Sequence, residues 1–446
     1  MRAWAWELRG EPNEVAKYAR AAAGEAERRG ANHLTARARL SEARALFDSG
    51  DAKAAIAALD DAIDRFRKAE NRKEVAAAYE LKAEEETDLD TARQLLEIAR
   101  RIYREGGYRN AEAWVLMNLG YRLFENERRD EAETLFAEAM ALFDGLGARE
   151  DKAAALVNIG ASYQMQGDLS KARARYTEAL AVFQDLGNEL WTAMVLTNIG
   201  EILYLAGDLD GARRMHEEAL AVNRRLGDEA GVAYDNYRLG MVFVARGDWG
   251  RARQRYEGAL ASQQRLAKQA DAAETRLALA ELELIEKNFA NSEKLARQVV
   301  GASDLADKEA LAQVLLARTL LAQGRMVDAR PFAEAAADAA VESDDQRVHF
   351  GAAFVRARLR AAAGEVDGAL ADLAELATRA SAKGRLLDSF EVRLAMGEIE
   401  LDAGRIDAGR HRLAKLHDDA DATGVQGIVR RVEKLLAGRS LAKSPA

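Results

Sequence analysis

Residues 156–160 read Leu-Val-Asn-Ile-Gly, and the pattern returns as Leu-Thr-Asn-Ile-Gly at 196–200 and stands as Leu-Met-Asn-Leu-Gly at 116–120. An asparagine recurs among apolar residues at a forty-residue step. The pentads at 156–160 and 196–200 run into the breaks Gly167-Asp168 and Gly207-Asp208, and another break follows at Gly247-Asp248. Measured from those breaks, small residues form a column: Val15, Ala55, Ala92, Ala132, Ala172, Ala212, Ala252, Ser292, Ala329, Ala369 and Gly409, at steps of 40 or 37. Seven places on, a second column reads Ala22, Ala62, Ala99, Ala139, Ala179, Ala219, Ala259, Val299, Ala336, Leu376 and Leu416. Internal periodicity of this length marks a solenoid of eleven units rather than a string of unrelated domains.

Each unit divides into two helical halves. In 190–227 the first half places Met194, Leu196, Ile199 and Leu203 at helical spacing, and the second places Ala212, Met215, Ala219, Leu220 and Val222 on its inward side. Gly207 breaks the first helix and Gly227 closes the second, because glycine accepts the left-handed conformation that ends helices. Such a hairpin cannot bury its apolar face alone and must stack on its neighbours. The expected fold is therefore all-α, a right-handed superhelical solenoid of about eleven antiparallel hairpins. The expected bounds are a continuous array over 1–424, a capping helix over 425–437 and a disordered tail over 438–446.

Composition agrees. The chain of 446 residues is 49% apolar and 31% charged, and holds only three prolines. Low proline with abundant Ala, Leu, Glu and Arg favours helix throughout. A net charge of −9 offers no basic surface for phosphates, which argues against nucleic acid. With no cysteine, disulfides, thiolate nucleophiles and Cys-based zinc sites are excluded. No apolar run has the length of a membrane span, and Glu7, Arg9 and Glu11 interrupt any signal-peptide core, so a cytoplasmic location with no membrane partner is expected.

The pattern resembles the tetratricopeptide repeat. The residues that carry the likeness are Leu119-Gly120, Ile159-Gly160, Ile199-Gly200 and Leu239-Gly240 in the first helix, with Leu123, Tyr163, Leu203 and Phe243 three places on. In the second helix they are Ala172, Tyr176 and Ala179, and Ala252, Tyr256 and Ala259. The likeness is closest over 110–265, extends with more substitutions over 36–110 and 310–420, and fades before residue 30. Three features depart: a step of forty instead of about 34 residues, Leu-Gly in place of the closing proline, and Leu in place of the first-helix tryptophan. The longer unit is similar to the subgroup of kinesin light chains, Pins-type scaffolds, and the sensor regions of MalT-like and peptide-pheromone-responsive regulators. HEAT and armadillo repeats share the period but not the Gly-Asp turn or the paired alanine columns.

The resemblance implies that first helices line a concave face, which puts Asn118, Asn158 and Asn198 in the groove, with Arg238 as the fourth rung. A primary amide both donates and accepts, so a ladder of them suits the backbone of an extended peptide, the use the family makes of such asparagines. Trp114, Tyr121, Gln164, Glu201, Tyr204, Tyr234, Tyr237 and Met241 lie at neighbouring groove positions and are expected to add selectivity, as aromatic anchors do. The competing reading has the asparagines bonding to carbonyls of adjacent helices and serving only the stack.

Signs of an enzyme are poor, and neither a cofactor nor a metal is expected. His216 falls in the aromatic column of a second helix, a half-buried packing position, and His411 and His417 are six apart, on different sides of a helix. Gly145-Leu-Gly147 lacks the preceding strand and third glycine of a nucleotide loop. The expected function is a non-enzymatic interaction scaffold holding a peptide or protein segment in the groove. The alternative is a ligand-responsive sensor region that controls an effector domain in cis or in trans. Trp4 and Trp6 would stand on an uncapped first repeat, where self-association or a further domain would cover them.

Overall fold

The structure is a computed structural model that describes residues 12–301, 305–343 and 345–440, with only the backbone at 438–440. The expectations for Trp4, Trp6 and the tail from 441 onward lie outside these residues. Twenty-two helices follow one another from Pro12–Arg28 to Gln426–Ser440, and no strand occurs among the described residues. The fold is an all-α solenoid of helix hairpins. The chain gathers into two compact units, 1–162 and 163–446, the division falling inside helix Arg149–Met165.

The Gly-Asp breaks are one device with two functions. Gly207 adopts φ +84, and its N–H donates to the Tyr204 carbonyl at 3.0 Å while the Asp208 N–H donates to the Leu203 carbonyl at 2.8 Å. This closes the first helix in the Schellman manner. The Asp208 carboxylate then accepts from the Gly211 N–H at 2.8 Å and caps the second helix. Asp51, Asp168 and Asp248 cap their helices through the N–H groups of Ala54, Lys171 and Arg251 at 3.1, 3.1 and 3.2 Å. Where glycine is missing, Glu127 and Lys287 still take φ values of 61 and 65, so the turn persists with a side chain in a conformation that disfavours one.

The alanine columns are where the two helices of a hairpin touch. Ala172, Ala179, Ala212, Ala219, Ala252 and Ala259 are all 0% exposed. The pentad glycine completes this contact. A Cβ on Gly240 would lie 2.4 Å from the Tyr256 ring, one on Gly200 2.7 Å from His216, and one on Gly120 2.6 Å from Phe136. The Leu-Gly signature thus makes room for an aromatic ring sixteen residues ahead. His216 is more deeply placed than expected, 1% exposed instead of half-buried. It shares the core with Asp235, which accepts from Thr197 Oγ1 at 3.0 Å and from Asn223 Nδ2 at 2.8 Å.

Two units are shorter by three residues, and each shortens one helix. Helix Arg72–Glu84 has 13 residues, and the Arg122 guanidinium donates to the carbonyls of Ala83 and Glu84 at its end at 2.6 and 3.2 Å. Helix Phe289–Arg297 has nine. In the first described helix Val15 of the first column is buried as expected, but the second column is displaced by one. Ala22 faces solvent, while Ala16, Ala19 and Ala23 are buried, because the alanine-rich helix presents a neighbouring stripe just as small.

Within residues 163–446 the array curls until later hairpins meet earlier ones. A Cβ on Gly207 would lie 2.6 Å from Leu386 Cδ2, and one on Gly384 3.2 Å from Leu169. Gly427 approaches the Val244 carbonyl so closely that a Cβ would stand 2.5 Å from its oxygen. Arg430 Nη1 donates to the Gly247 carbonyl at 2.6 Å, and Lys434 lies 4.4 Å from the Trp249 ring centre. Helix Gln426–Ser440 buries Ile428, Val429 and Val432 and joins the two sides of this seam.

Candidate functional site

The curl forms an open-sided cavity of about 680 Å³, lined by first helices from Glu189–Leu205 onward, by Trp249 and Tyr256 of the second helix Trp249–Arg265 and by helix Gln426–Ser440. Its apolar wall includes Met241, Leu277, Leu282, Leu315, Phe350, Phe354 and Ile428, and its aromatic corner is Tyr204, Tyr234, Tyr237, Trp249 and Tyr256. The volume lies within the range of small-ligand sites, which are largely apolar with a few fixed polar groups.

Ten charged side chains line the cavity, five acidic and five Arg, and each acid holds an Arg. Arg238 meets Glu201 at 3.1 Å and Arg347 meets Glu274 at 2.6 Å. Arg318 grips Glu281 with two parallel bonds of 2.7 Å. Arg385 meets Asp388 at 2.5 Å, and Arg431 pairs with Glu391. Lys308 adds a second cation to Glu274 at 2.5 Å, and the Tyr237 hydroxyl donates to the same carboxylate at 3.1 Å. Arg347 and Glu274 belong to first helices two hairpins apart, so their bond holds the curvature of the concave face.

These pairings set the charge states. Burial would raise the pKa of Glu274, but Arg347 and Lys308 overcome it and hold the carboxyl down at about 2. Burial opposes Glu391 in the same way, and Arg431 outweighs it, keeping the carboxyl below its ordinary value. Arg238 is pushed up against its burial by Glu201, Tyr234 and Tyr237, whose rings lie 4.9 and 5.8 Å from the guanidinium carbon. Burial raises the hydroxyl pKa of Tyr204, Tyr237 and Tyr256, so all three stay neutral.

Of the twelve side chains expected in the groove, the cavity brings together six: Glu201, Tyr204, Tyr234, Tyr237, Arg238 and Met241. Gln164 is engaged in its own hairpin, where Oε1 accepts from the Tyr176 hydroxyl at 2.9 Å. In the first unit the Trp114 indole N–H donates to Asp151 at 3.1 Å and its ring packs edge-on to Phe143. Burial and a hydrogen bond to Glu125 lift the Tyr121 hydroxyl to about 12. Asn118 and Asn198 are half-buried and Asn158 is exposed, and none of the three lines the cavity. No hydrogen bond from these three side-chain amides to an adjacent helix occurs among the described residues.

The far wall of the cavity was not anticipated, although a signal for it exists. Tyr234, Tyr237, Arg238 and Met241 occupy positions i, i+3, i+4 and i+7. The repeat step carries that pattern to Glu274, Leu277, Ala278 and Glu281, then to Leu311, Val314, Leu315 and Arg318. Further steps land on Gly351 and Phe354, on Glu391 and on Arg431, all of which line the cavity. Among the described residues no helix is long and apolar enough to cross a membrane, and no cluster of three potential metal ligands occurs.

Tetratricopeptide-repeat family profiles match residues 113–143, 151–225 and 237–307. A search of curated proteins returns no sequence match. Among solved structures, a Rap protein complexed with competence and sporulation factor is 12% identical, with a TM-score of 0.59 over 80% of this chain and 99% of that one. The apo form of the quorum sensor NprR from B. thuringiensis is 14% identical, with a TM-score of 0.49 over 79% of this chain and 99% of that one. Aspartyl phosphate phosphatase F from Bacillus subtilis is 16% identical, with a TM-score of 0.46 over 59% and 68%. At such identities the likeness to the Rap protein is one of fold. Hairpins, turn chemistry and family profiles agree over these three matched stretches, which are tetratricopeptide repeats.

Proposed function

We propose that the chain is a non-enzymatic binding module that holds a short peptide segment in the cavity of residues 163–446. The observation that carries this reading is the concave wall of tyrosines, aliphatic side chains and fixed ion pairs, built mainly from first helices of successive repeats. Such a wall offers apolar burial for side chains and polar anchors for orientation, with no group placed as a nucleophile or metal ligand. The Rap protein that shares the fold is complexed with competence and sporulation factor, which supports a ligand-binding role here.

The seam favours the sensor form of this reading over a passive scaffold. Helix Gln426–Ser440 lines the cavity through Gly427, Ile428 and Arg431, and closes the curl through Gly427, Arg430 and Lys434. A ligand that touches the first set biases the second, and so carries occupancy to an effector in cis or in trans.

The test uses the purified full chain incubated with a peptide mixture from digested cell extract. Retained peptides are read by mass spectrometry beside Ala278→Trp, which places a bulky ring in the cavity. The wild type should retain a reproducible set that the variant loses, with helix content unchanged by circular dichroism. Equal retention by the variant would move the site elsewhere, and no retention by either would remove peptide binding.

A further inference from the structure

The cavity wall carries a large number of charges and no net charge. Glu201, Glu274, Glu281, Asp388 and Glu391 face Arg238, Arg347, Arg318, Arg385 and Arg431, one for one, against a chain whose formal charge is −9. The pairs are closed ones. The Arg318–Glu281 pair is bidentate at 2.7 Å, and both side chains are less than a third exposed. Glu274 is held from two sides, by Arg347 and Lys308. Arg431 and Glu391 are 19% and 31% exposed.

An incoming ligand charge has no free counter-charge to meet. To be neutralised it must take one member of a pair, which at every pair but that of Glu274, where Lys308 stands in reserve, leaves the other partly buried and uncompensated, and breaking such a pair is costly. A ligand without net charge leaves every pair intact and gains from the apolar wall between them, which Leu277, Val314, Leu315 and Ile428 line. From this we infer that the site selects peptides whose side chains are aliphatic and aromatic and whose net charge is zero, and discriminates against acidic, basic and phosphorylated segments. The inference rests on the proposed peptide site and specifies its ligand class.

Two consequences separate this from mere apolar stickiness. Binding should hardly respond to salt, since no charge is neutralised across the interface. Removing one partner should also create a demand for the missing sign: Glu281→Gln frees Arg318 and should draw in peptides with one Asp or Glu, while Arg318→Gln should draw in peptides with one Lys or Arg.

The experiment presents the full chain with a positional-scanning hexapeptide library, acetylated and amidated at its ends, and reads retained sequences by mass spectrometry. The wild type should retain uncharged aliphatic and aromatic sequences. Their affinity should change less than about two-fold between roughly 0.1 and 1 M salt, a range that shortens the Debye length from about 10 to about 3 Å. Each variant should shift the retained set by one charge in the direction stated, with circular dichroism confirming its fold. If either variant fails to fold, the other decides. Retention of charged, salt-sensitive hexapeptides by the wild type, or a variant preference that does not follow the freed charge, overturns the inference while peptide binding stands. No retained hexapeptide at all overturns the binding site itself.

Discussion

Gly427 rests against the main chain of Val244, close enough that the smallest side chain would put carbon 2.5 Å from the carbonyl oxygen. The two residues are far apart in sequence and belong to hairpins that the repeat alone would never bring together. Gly427→Val should therefore force helix Gln426–Ser440 off the seam, at about 1–3 kcal/mol as for other overpacked sites. Hydrogen exchange should accelerate over 426–440 and leave helix Gln269–Ile285 slow. Arg430→Ala, which removes the bond to the Gly247 carbonyl, should act in the same direction at about 0.5–1.5 kcal/mol. Protection of 426–440 that is indifferent to both changes would mean the seam contributes nothing to holding this helix.

The pentad glycine and an ordinary helical glycine should respond oppositely to alanine. Gly240 has the Tyr256 ring where a Cβ would go, and Gly258 has open space. Gly240→Ala is expected to cost about 1–3 kcal/mol, and Gly258→Ala to gain up to about 1 kcal/mol from helix propensity. Urea midpoints of the two variants provide the check, and losses of equal size would show that the ring does not occupy the glycine's place.

Asp235 is 0% exposed and satisfies Thr197 and Asn223 at once. Asp235→Ala strands the Asn223 amide in the core between two hairpins, while Thr197 keeps the Ala193 carbonyl at 3.1 Å, and is expected to cost about 1–3 kcal/mol. Asp235→Asn retains one acceptor and should cost less. A thermal melt that ranks the two variants the other way would disprove this assignment.

Glu80 supplies a pH dependence of unusual sign. Burial raises its carboxyl to about 7 from an ordinary 4.5, with Tyr103 opposing and Glu84 assisting. In the unfolded chain the group ionises first, so between about pH 4.5 and 7 the folded state binds the extra proton and stability falls as pH rises. The full loss, at most about 3 kcal/mol, is present above pH 7 and absent below 4.5. Glu80→Gln should therefore stabilise the chain near pH 8 and leave it unchanged near pH 4. Equal stability of the two proteins at the higher pH would show that Glu80 ionises freely.

Asn118, Asn158 and Asn198 make no side-chain hydrogen bond to an adjacent helix among the described residues. Replacing all three by alanine should leave the melting temperature within the small change expected of surface sites, about 0.5 kcal/mol each. A large drop would restore their role in the stack. If they hold an extended peptide, retention should fall at unchanged stability; if the cavity alone holds the ligand, retention should not change.

The period, the hairpins and the contact columns were legible because each depends on residues close in sequence. A helix break needs its glycine and its cap within five positions, as at Gly207-Asp208, and Gly200 needs its ring only sixteen residues ahead. The cavity was half legible. Tyr234, Tyr237 and Arg238 stand out on a first helix, but the wall opposite them, with Phe350, Glu391 and Arg431, depends on how far the array curves. Curvature accumulates from small rotations set by side-chain volumes at each hairpin contact, and no single residue type announces it. The same limit explains the displaced column at Ala22, where several alanines could equally have faced inward.

The seam glycines also make this array count. Gly167, Gly207 and Gly247 stand one repeat apart and receive, respectively, Lys383, Leu386 and Arg430. An open-ended stack can gain or lose a whole hairpin and remain a stack. Here, one hairpin inserted or removed between residues 269 and 382 would rotate Leu386 and Arg430 past the notches that receive them. The copy number of this segment is therefore a structural parameter as specific as any side chain. Duplication, the usual route by which repeat arrays change length, is closed to it unless the fit is abandoned.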